Sequence, residues 1–214
     1  MFESGDKTIT IEKFEPNTPG KHPCVVVVHG ADGLTALGGA YYRTIARRLA
    51  RHGYVALFPH YFDRTGATSG DRSKYVTDFV PWMNTLKDAM AYGAGLSSVD
   101  GGRMGLLGLS LGSYLSLAVG ANNQTGARAV VDYFGGLTDA MGRLLKTMPP
   151  TLILHGAKDA LVPVAEAYKL QKLFEEKHVQ YKMKIYPDQG HGFRGADERD
   201  AMERVFAFFD KHLG

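Results

Sequence analysis

Ser110 stands between two glycines in the run Gly108-Leu109-Ser110-Leu111-Gly112, a spacing that can present a serine as a nucleophile. The sharp strand-to-helix turn that does this strains the serine backbone, so its neighbours must carry almost no side chain. Residues 103–107, apolar after Arg103, read as a short buried strand, and the mostly apolar residues 111–119 read as a helix. Because a glycine-rich turn with a helix-capping serine has the same spacing, residues elsewhere must decide between the two interpretations.

An acid and a base follow Ser110 in the order that a serine nucleophile of this type requires. Residues 151–159 form an apolar run that ends in a turn carrying Asp159. Residues 181–186 alternate like an edge strand, and the loop after them sets His191 between Gly190 and Gly192. We therefore predict Asp159 as the acid and His191 as the base.

Other residues compete for both roles. Asp132 lies inside the apolar segment 129–134, where a hydrogen-bonded, half-buried carboxylate is the simpler interpretation. Asp188 lies in the histidine loop itself, where turn formation is the simpler role. His29, His60 and His155 each end a predicted strand, and histidines there are usually satisfied by backbone groups.

A third element completes the predicted site. The run Cys24-Val25-Val26-Val27-Val28 has the β-branched composition of a central parallel strand, and it leads into His29-Gly30-Ala31. A negatively charged tetrahedral oxygen needs two N–H groups already directed at it. We predict that the backbone of Leu111 and the backbone of Ala31 supply them.

On these motifs the chain resembles the dienelactone hydrolase family of α/β-hydrolases over nearly its whole length. The resemblance implies a mostly parallel central sheet with helices on both faces. The enzyme that names the family has a cysteine on the elbow and a glutamate in the oxyanion loop, whereas this chain has Ser110 and Gly30-Ala31. In that enzyme an arginine four positions after the histidine helps to hold the substrate carboxylate. Here Gly195 occupies that position and Arg194 precedes it.

The remaining elements alternate between strands and helices, which predicts a doubly covered parallel sheet. We expect an outer antiparallel strand over 7–14, a strand over 54–58, and helices over 41–51, 75–92, 137–146, 164–177 and 197–212. The segment between Ser110 and Asp159 is filled by such elements, so we expect no cap domain. The site should be open, with loops at the carboxyl ends of the strands as walls. Candidate substrate contacts in these loops are Tyr61, Arg64, Arg72, Phe193 and Arg194.

Composition fits one globular domain over residues 1–214, with 44% hydrophobic and 22% charged residues. The net charge of +3 is too small to indicate nucleic-acid binding, and the apolar runs are too short to span a membrane. Residues 1–20 lack the apolar core of a signal peptide, so a cytoplasmic location is expected, with a removed leader as the alternative. The single cysteine, Cys24, resembles a buried hydrophobic residue.

These features predict a serine hydrolase that acts on small carboxylic esters or lactones as a monomer or homodimer. Neither metal-ligand spacing nor a phosphate-binding glycine loop is found, so no metal or cofactor is expected. A peptidase, amidase or thioesterase could use the same residues, and a binding protein could use the same scaffold.

Overall fold

A computed structural model describes the backbone of all 214 residues and every side chain except that of Arg72. The strands are β1 (Phe2–Ser4), β2 (Lys7–Ile9), β3 (Ile11–Phe14), β4 (His22–Val28), β5 (Val55–Pro59), β6 (Val99–Leu109), β7 (Ala129–Tyr133), β8 (Thr151–Gly156) and β9 (Tyr181–Tyr186). The helices are α1 (Ala36–Arg51), α2 (Tyr75–Ala94), α3 (Leu111–Gly120), α4 (Asp139–Leu144), α5 (Ala165–Glu176) and α6 (Gly195–Leu213).

Seven strands form one sheet in the order β3-β5-β4-β6-β7-β8-β9. β3 is antiparallel to β5, and the other six strands are parallel to one another. The parallel strands therefore end at one edge, where their carboxyl-terminal loops meet. This sheet confirms the predicted α/β-hydrolase fold.

Two apolar layers cover the sheet. Alternate residues of β4, such as Val26 and Val27, face opposite layers and are fully buried. α2, α3 and α5 pack on one face, whereas α1 and α6 pack on the other. Because both faces are covered, the central strands are almost wholly apolar.

The elements between Ser110 and Asp159 are α3, a short 3₁₀ turn, β7, α4 and β8. In this part of the described chain no element stands apart as a cap over the sheet edge. α4 is shorter than the predicted 137–146, because helical structure is limited to Asp139–Leu144.

The N-terminal strand differs from the expectation. Residues 7–14 are divided at Thr10, whose N–H donates to the Asp63 carboxylate and whose carbonyl accepts from the His60 N–H. β2 pairs instead with β1 in a separate hairpin, and only β3 is the outer strand of the main sheet.

Candidate active site

Ser110 occupies a strained turn between β6 and α3. Its backbone has φ 54° and ψ −119°, in the left-handed region that residues with a Cβ atom rarely adopt. A Cβ on Gly108 would lie 2.3 Å from the Gly112 carbonyl oxygen, and a Cβ on Gly112 would lie 2.2 Å from that of Val28. The predicted need for glycine on both sides is therefore confirmed, because backbone fills the space around the turn.

Ser110, His191 and Asp159 form a chain of hydrogen bonds. The His191 Nδ1 lies 2.7 Å from Asp159 Oδ2, and the His191 Nε2 lies 2.9 Å from Ser110 Oγ. Since a carboxylate only accepts, His191 carries its proton on Nδ1 and accepts the serine hydroxyl proton on Nε2. This arrangement can draw a proton from Ser110 towards His191.

The Asp159 carboxylate is held on both oxygens. Oδ1 accepts the N–H groups of Leu161 and Val162, each at 2.9 Å, and leaves Oδ2 for His191. The Asp159 side chain is fully buried, whereas 17% of the His191 side chain remains exposed. The carboxylate is therefore shielded from water, while the imidazole reaches the open edge of the sheet.

The loops that carry Asp159 and His191 are bonded to each other. The Lys158 N–H donates to the Gln189 carbonyl at 2.9 Å. A Cβ on Gly156 would lie 2.3 Å from the Gly190 carbonyl oxygen, so only glycine lets the loops approach this closely. The His191 ring also packs on Phe134, with centroids 4.7 Å apart. The position of the imidazole thus depends on β7, β8 and its own loop.

The loop after β4 holds the peptide between Gly30 and Ala31 with two hydrogen bonds. The Gly30 carbonyl accepts from His29 Nδ1 at 2.9 Å and from the Gly33 N–H at 3.1 Å. Because a trans peptide directs its N–H and C=O in opposite directions, holding this carbonyl also fixes the Ala31 N–H. The Gly30 N–H donates to the Tyr42 hydroxyl oxygen at 2.9 Å. In the described hydrogen bonds, the N–H groups of Ala31 and Leu111 donate to no protein group.

His29 is fully buried and stacks on Tyr61, with ring centroids 4.1 Å apart. Burial disfavours the imidazolium and lowers the pKa of His29 to about 4. The ring is therefore neutral at neutral pH. In the form that donates from Nδ1, it holds the Gly30 carbonyl.

None of the rival residues is bonded to Ser110 or His191 in the described structure. Asp132 is fully buried and accepts the Gly135 N–H at 2.9 Å, and exposed Asp188 pairs with Lys158 at 2.7 Å. We expected the strand-end histidines to bond to backbone groups, and His155 does so by donating to the Val162 carbonyl. His60 differs, because its partner is the Glu12 carboxylate.

The predicted substrate contacts need correction at three positions. Tyr61 is fully buried and its hydroxyl donates to the His29 carbonyl, so it cannot touch a ligand in this structure. Phe193 is 5% exposed, because its ring packs against other aromatic rings, the nearest being Tyr186 at 4.5 Å between centroids. Arg64 bonds to the Ser4 carbonyl and to Asp6, which ties it to the N-terminal hairpin.

Two arginines from the same set remain. Arg194 is exposed and directly precedes α6. The side chain of Arg72 lies outside the described residues, so its suggested contact stays a prediction. Sequence reasoning missed Tyr42 and Phe134, because in the sequence each has the pattern of an ordinary buried residue. Only the fold shows that Tyr42 bonds to Gly30 and that Phe134 packs on His191.

In the described chain, no group of three or more His, Cys, Asp or Glu side chains could hold a metal ion. No helix there combines the length and the apolar character needed to cross a bilayer.

Comparison with known proteins places this arrangement in a family. The sequence profile of the dienelactone hydrolase family matches residues 11–213. A protein of Methylorubrum extorquens named "Putative carboxymethylenebutenolidase" is 26% identical over 91% of this chain and 70% of its own length.

Solved structures share the fold at lower identity. A dienelactone hydrolase-like promiscuous phosphotriesterase from metagenomic libraries has a TM-score of 0.77 and 19% identity, covering 97% of this chain and all of its own. The acylaminoacyl peptidase of Pyrococcus horikoshii has a TM-score of 0.78 and 16% identity, covering 99% of this chain and 41% of its own. The profile match over nearly the whole sequence shows that the chain belongs to the dienelactone hydrolase family.

Proposed function

We propose that this protein hydrolyses small carboxylic esters or lactones through an acyl-enzyme on Ser110. The observation that carries the proposal is the chain of hydrogen bonds from Ser110 through His191 to Asp159 on a strained turn. A strained serine backbone is costly and persists only where the surrounding structure imposes it. The same turn directs the hydroxyl to an imidazole whose other nitrogen is held by a buried carboxylate.

In the first half of the reaction, His191 Nε2 takes the Ser110 proton as Oγ bonds to the substrate carbonyl carbon. The carbonyl electron pair moves onto oxygen, and the N–H groups of Ala31 and Leu111 donate to that oxyanion. Asp159 fixes the imidazole tautomer and stabilises the imidazolium. His191 then gives its proton to the leaving alkoxide oxygen as the C–O bond breaks.

In the second half, water loses a proton to His191 and attacks the acyl carbon. Collapse of the second tetrahedral intermediate breaks the bond to Ser110 Oγ, which recovers the proton from His191. A free acid leaves. In a lactone the alkoxide and the acyl group belong to one molecule, so the product is a hydroxy acid.

The family supports ester-type substrates, and the name of the Methylorubrum relative points to a lactone. With Ser110 in place of a cysteine, the nucleophile is an alkoxide generated by His191 rather than a thiolate. The absence of a cap between Ser110 and Asp159 in the described chain supports small substrates. Such a site can bury only a modest apolar area of the acyl group.

The experiment is labelling with a fluorophosphonate, which reacts with an activated serine, followed by turnover on matched esters, lactones and anilides. We expect one label on Ser110, loss of labelling in Ser110→Ala, and turnover of esters or lactones well above that of anilides. Absence of a label on the folded wild-type protein would refute the serine mechanism. Anilides cleaved as fast as esters would instead indicate an amidase.

A further inference from the structure

Phe134, the first residue after β7, has a strained backbone. Its φ of 46° lies in the left-handed region, which is exceptional for a bulky residue. Such a conformation is costly and persists only where the surrounding structure imposes it. The Phe134 N–H donates to the Leu154 carbonyl at 2.8 Å, and the N–H of the next residue, Gly135, donates to Oδ1 of fully buried Asp132 at 2.9 Å. Two hydrogen bonds therefore hold the turn that contains Phe134.

Packing against α3 also restricts this turn. A Cβ on Gly135 would lie 2.2 Å from the Ser113 Cβ, so the turn and the helix are in direct contact. The Ser113 hydroxyl in turn donates to the Gly108 carbonyl at 2.7 Å. The turn after β7 therefore packs against the first turn of the helix that follows Ser110.

The left-handed backbone changes the face on which the Phe134 ring lies. Side chains along a strand alternate between its two faces. Val131 and Tyr133 of β7 belong to the apolar layer that α1 and α6 cover, so a continued strand would place the next side chain in the opposite layer. The Phe134 ring instead lies in the same layer as Tyr133. The strained turn thus keeps this ring on the side of the sheet where it meets His191.

The end of β7 contacts both the nucleophile and the base of the site. The ring centroids of Phe134 and His191 are 4.7 Å apart, with the ring planes inclined by 56°. The carbonyl of the preceding residue, Tyr133, accepts the Ser110 N–H at 3.0 Å. Two consecutive residues are therefore bonded to, or packed on, the two side chains between which the proton moves.

The His191 ring needs support from outside its own loop. Its neighbours Gly190 and Gly192 have no side chains that could restrain it. Hydrogen bonds to Asp159 and Ser110 fix the two ring nitrogens, but the ring can still tilt about the line that joins them. A second ring packed on the imidazole opposes this tilt.

We propose that Phe134 is a positioning residue that holds the His191 imidazole between Asp159 and Ser110, and that the hydrogen bond from the Gly135 N–H to Asp132 keeps Phe134 in place. The inference rests on the proposed function, since it concerns the base of that reaction. It gives Phe134 and Asp132 a role through His191 and assigns neither of them a contact with substrate.

The kinetic test removes the ring without straining the turn. Phe134→Gly does so, because glycine adopts a positive φ readily. We expect it to lower kcat by roughly 10- to 100-fold with KM within about threefold, as a small misplacement of a reacting group does. Phe134→Leu keeps an apolar side chain against the imidazole and should recover most of that loss. Asp132→Leu removes the acceptor of the Gly135 N–H and should lower kcat, whereas Asp132→Asn keeps an oxygen there and should remain close to wild type.

Phe208→Ala is the matched control. Phe208 lies in the same apolar layer and is 3% exposed, against 5% for Phe134. Its ring packs on His212 with centroids 4.6 Å apart and planes inclined by 56°, so the variant removes the same kind of contact away from the site. Alanine suits its helical backbone as glycine suits the turn. The variant should lower thermal stability and leave kcat within about twofold.

Three kinetic outcomes would overturn the inference. The first is wild-type kcat in folded Phe134→Gly, and the second is an equal loss of kcat in Phe208→Ala. The third is a folded Phe134→Leu as slow as Phe134→Gly. Wild-type kcat in folded Asp132→Leu would remove Asp132 from the proposal.

A measurement independent of turnover uses ¹H–¹⁵N spectra of the histidine rings. We expect the His191 Nδ1–H signal in the wild type and in Phe208→Ala, and its broadening or loss in Phe134→Gly, because a tilting ring weakens the hydrogen bond to Asp159. An unchanged signal in Phe134→Gly would overturn the proposal. Failure of wild-type Ser110 to react with a fluorophosphonate would refute the hydrolase proposal, while these spectra would still decide whether Phe134 positions His191.

Discussion

Acidification should unfold this protein partly through His29. This histidine is fully buried among aromatic rings, and its pKa of about 4 lies below the ordinary 6.5 because burial disfavours its charged form. Between these two values the unfolded chain binds a proton that the folded chain does not bind. The stabilising contribution of neutral His29 is therefore complete above pH 6.5, decreases as the pH falls below it, and is lost by about pH 4.

The magnitude follows from the two pKa values. At about 1.4 kcal/mol per pKa unit, the free energy of unfolding should fall by about 3 kcal/mol between pH 7.5 and pH 4 on account of His29 alone. By pH 5 the loss should be about 2 kcal/mol, which is large against a typical total of about 5–15 kcal/mol.

The assay is urea unfolding followed by the fluorescence of buried Trp82 at pH 7.5, 6 and 5. His29→Gln removes the titrating ring, and the difference in slope between wild type and variant isolates its contribution from those of the carboxylates. His22→Gln, at a half-buried histidine on the other end of β4, is the matched control for the loss of an imidazole elsewhere on the same strand. Equal pH dependence in wild type and His29→Gln would refute the reasoning.

Four further predictions concern the site. Ser110→Ala should remain folded by circular dichroism and lose at least about 10³-fold in turnover of the best ester. Asp159→Asn should lower kcat by about 10²- to 10⁴-fold in steady-state kinetics because the working tautomer of His191 loses its acceptor; a loss below tenfold would argue against this acid. Gly112→Ala should cost at least about 2 kcal/mol in urea unfolding, since its Cβ would lie 2.2 Å from a backbone oxygen, whereas Gly102→Ala should change stability little because its nearest contact is 3.4 Å. Acetate and butyrate esters should exceed octanoate esters in kcat/KM, and a preference for octanoate would contradict an uncapped site.

The sequence was sufficient for the order of the elements, because the signals concerned are local. The four valines after Cys24 indicate a strand covered on both faces, and β4 contains them. Residues 181–186 alternate in the way an edge strand does, and β9 has those bounds at the edge of the sheet. The glycines around Ser110 predict a strained turn, because no other residue type leaves enough room there.

The loop contacts were harder to predict, because they depend on which loops meet in the fold. Tyr61 was expected in a loop because the residues after it are polar. Its ring instead stacks on His29 and is fully buried in the core. In the sequence Arg64 looks like an unpaired cation in a loop. In the fold it donates to the Ser4 carbonyl of the hairpin that β1 and β2 form. Phe193 follows the site histidine, yet its ring turns away into the layer beneath α6.

The His-Gly pairs at the ends of β4 and β8 have a common physical role. His29 donates to the Gly30 carbonyl, and His155 donates to the Val162 carbonyl, so each buried imidazole fixes the backbone of the loop that follows its strand. These hydrogen bonds act on different groups. The first orients the Ala31 N–H, and the second supports the turn that binds Asp159.

The glycine after each histidine has a steric role of its own. A Cβ on Gly30 would lie 3.0 Å from the Tyr42 hydroxyl, and one on Gly156 would lie 2.3 Å from the Gly190 carbonyl oxygen. A histidine followed by glycine thus combines a buried N–H donor with room for a neighbouring group to approach. Because parallel strands end at one edge, two such pairs position groups from opposite sides of Ser110. The strand-end histidines therefore shape the site through the backbone and the acid, although neither is bonded to Ser110.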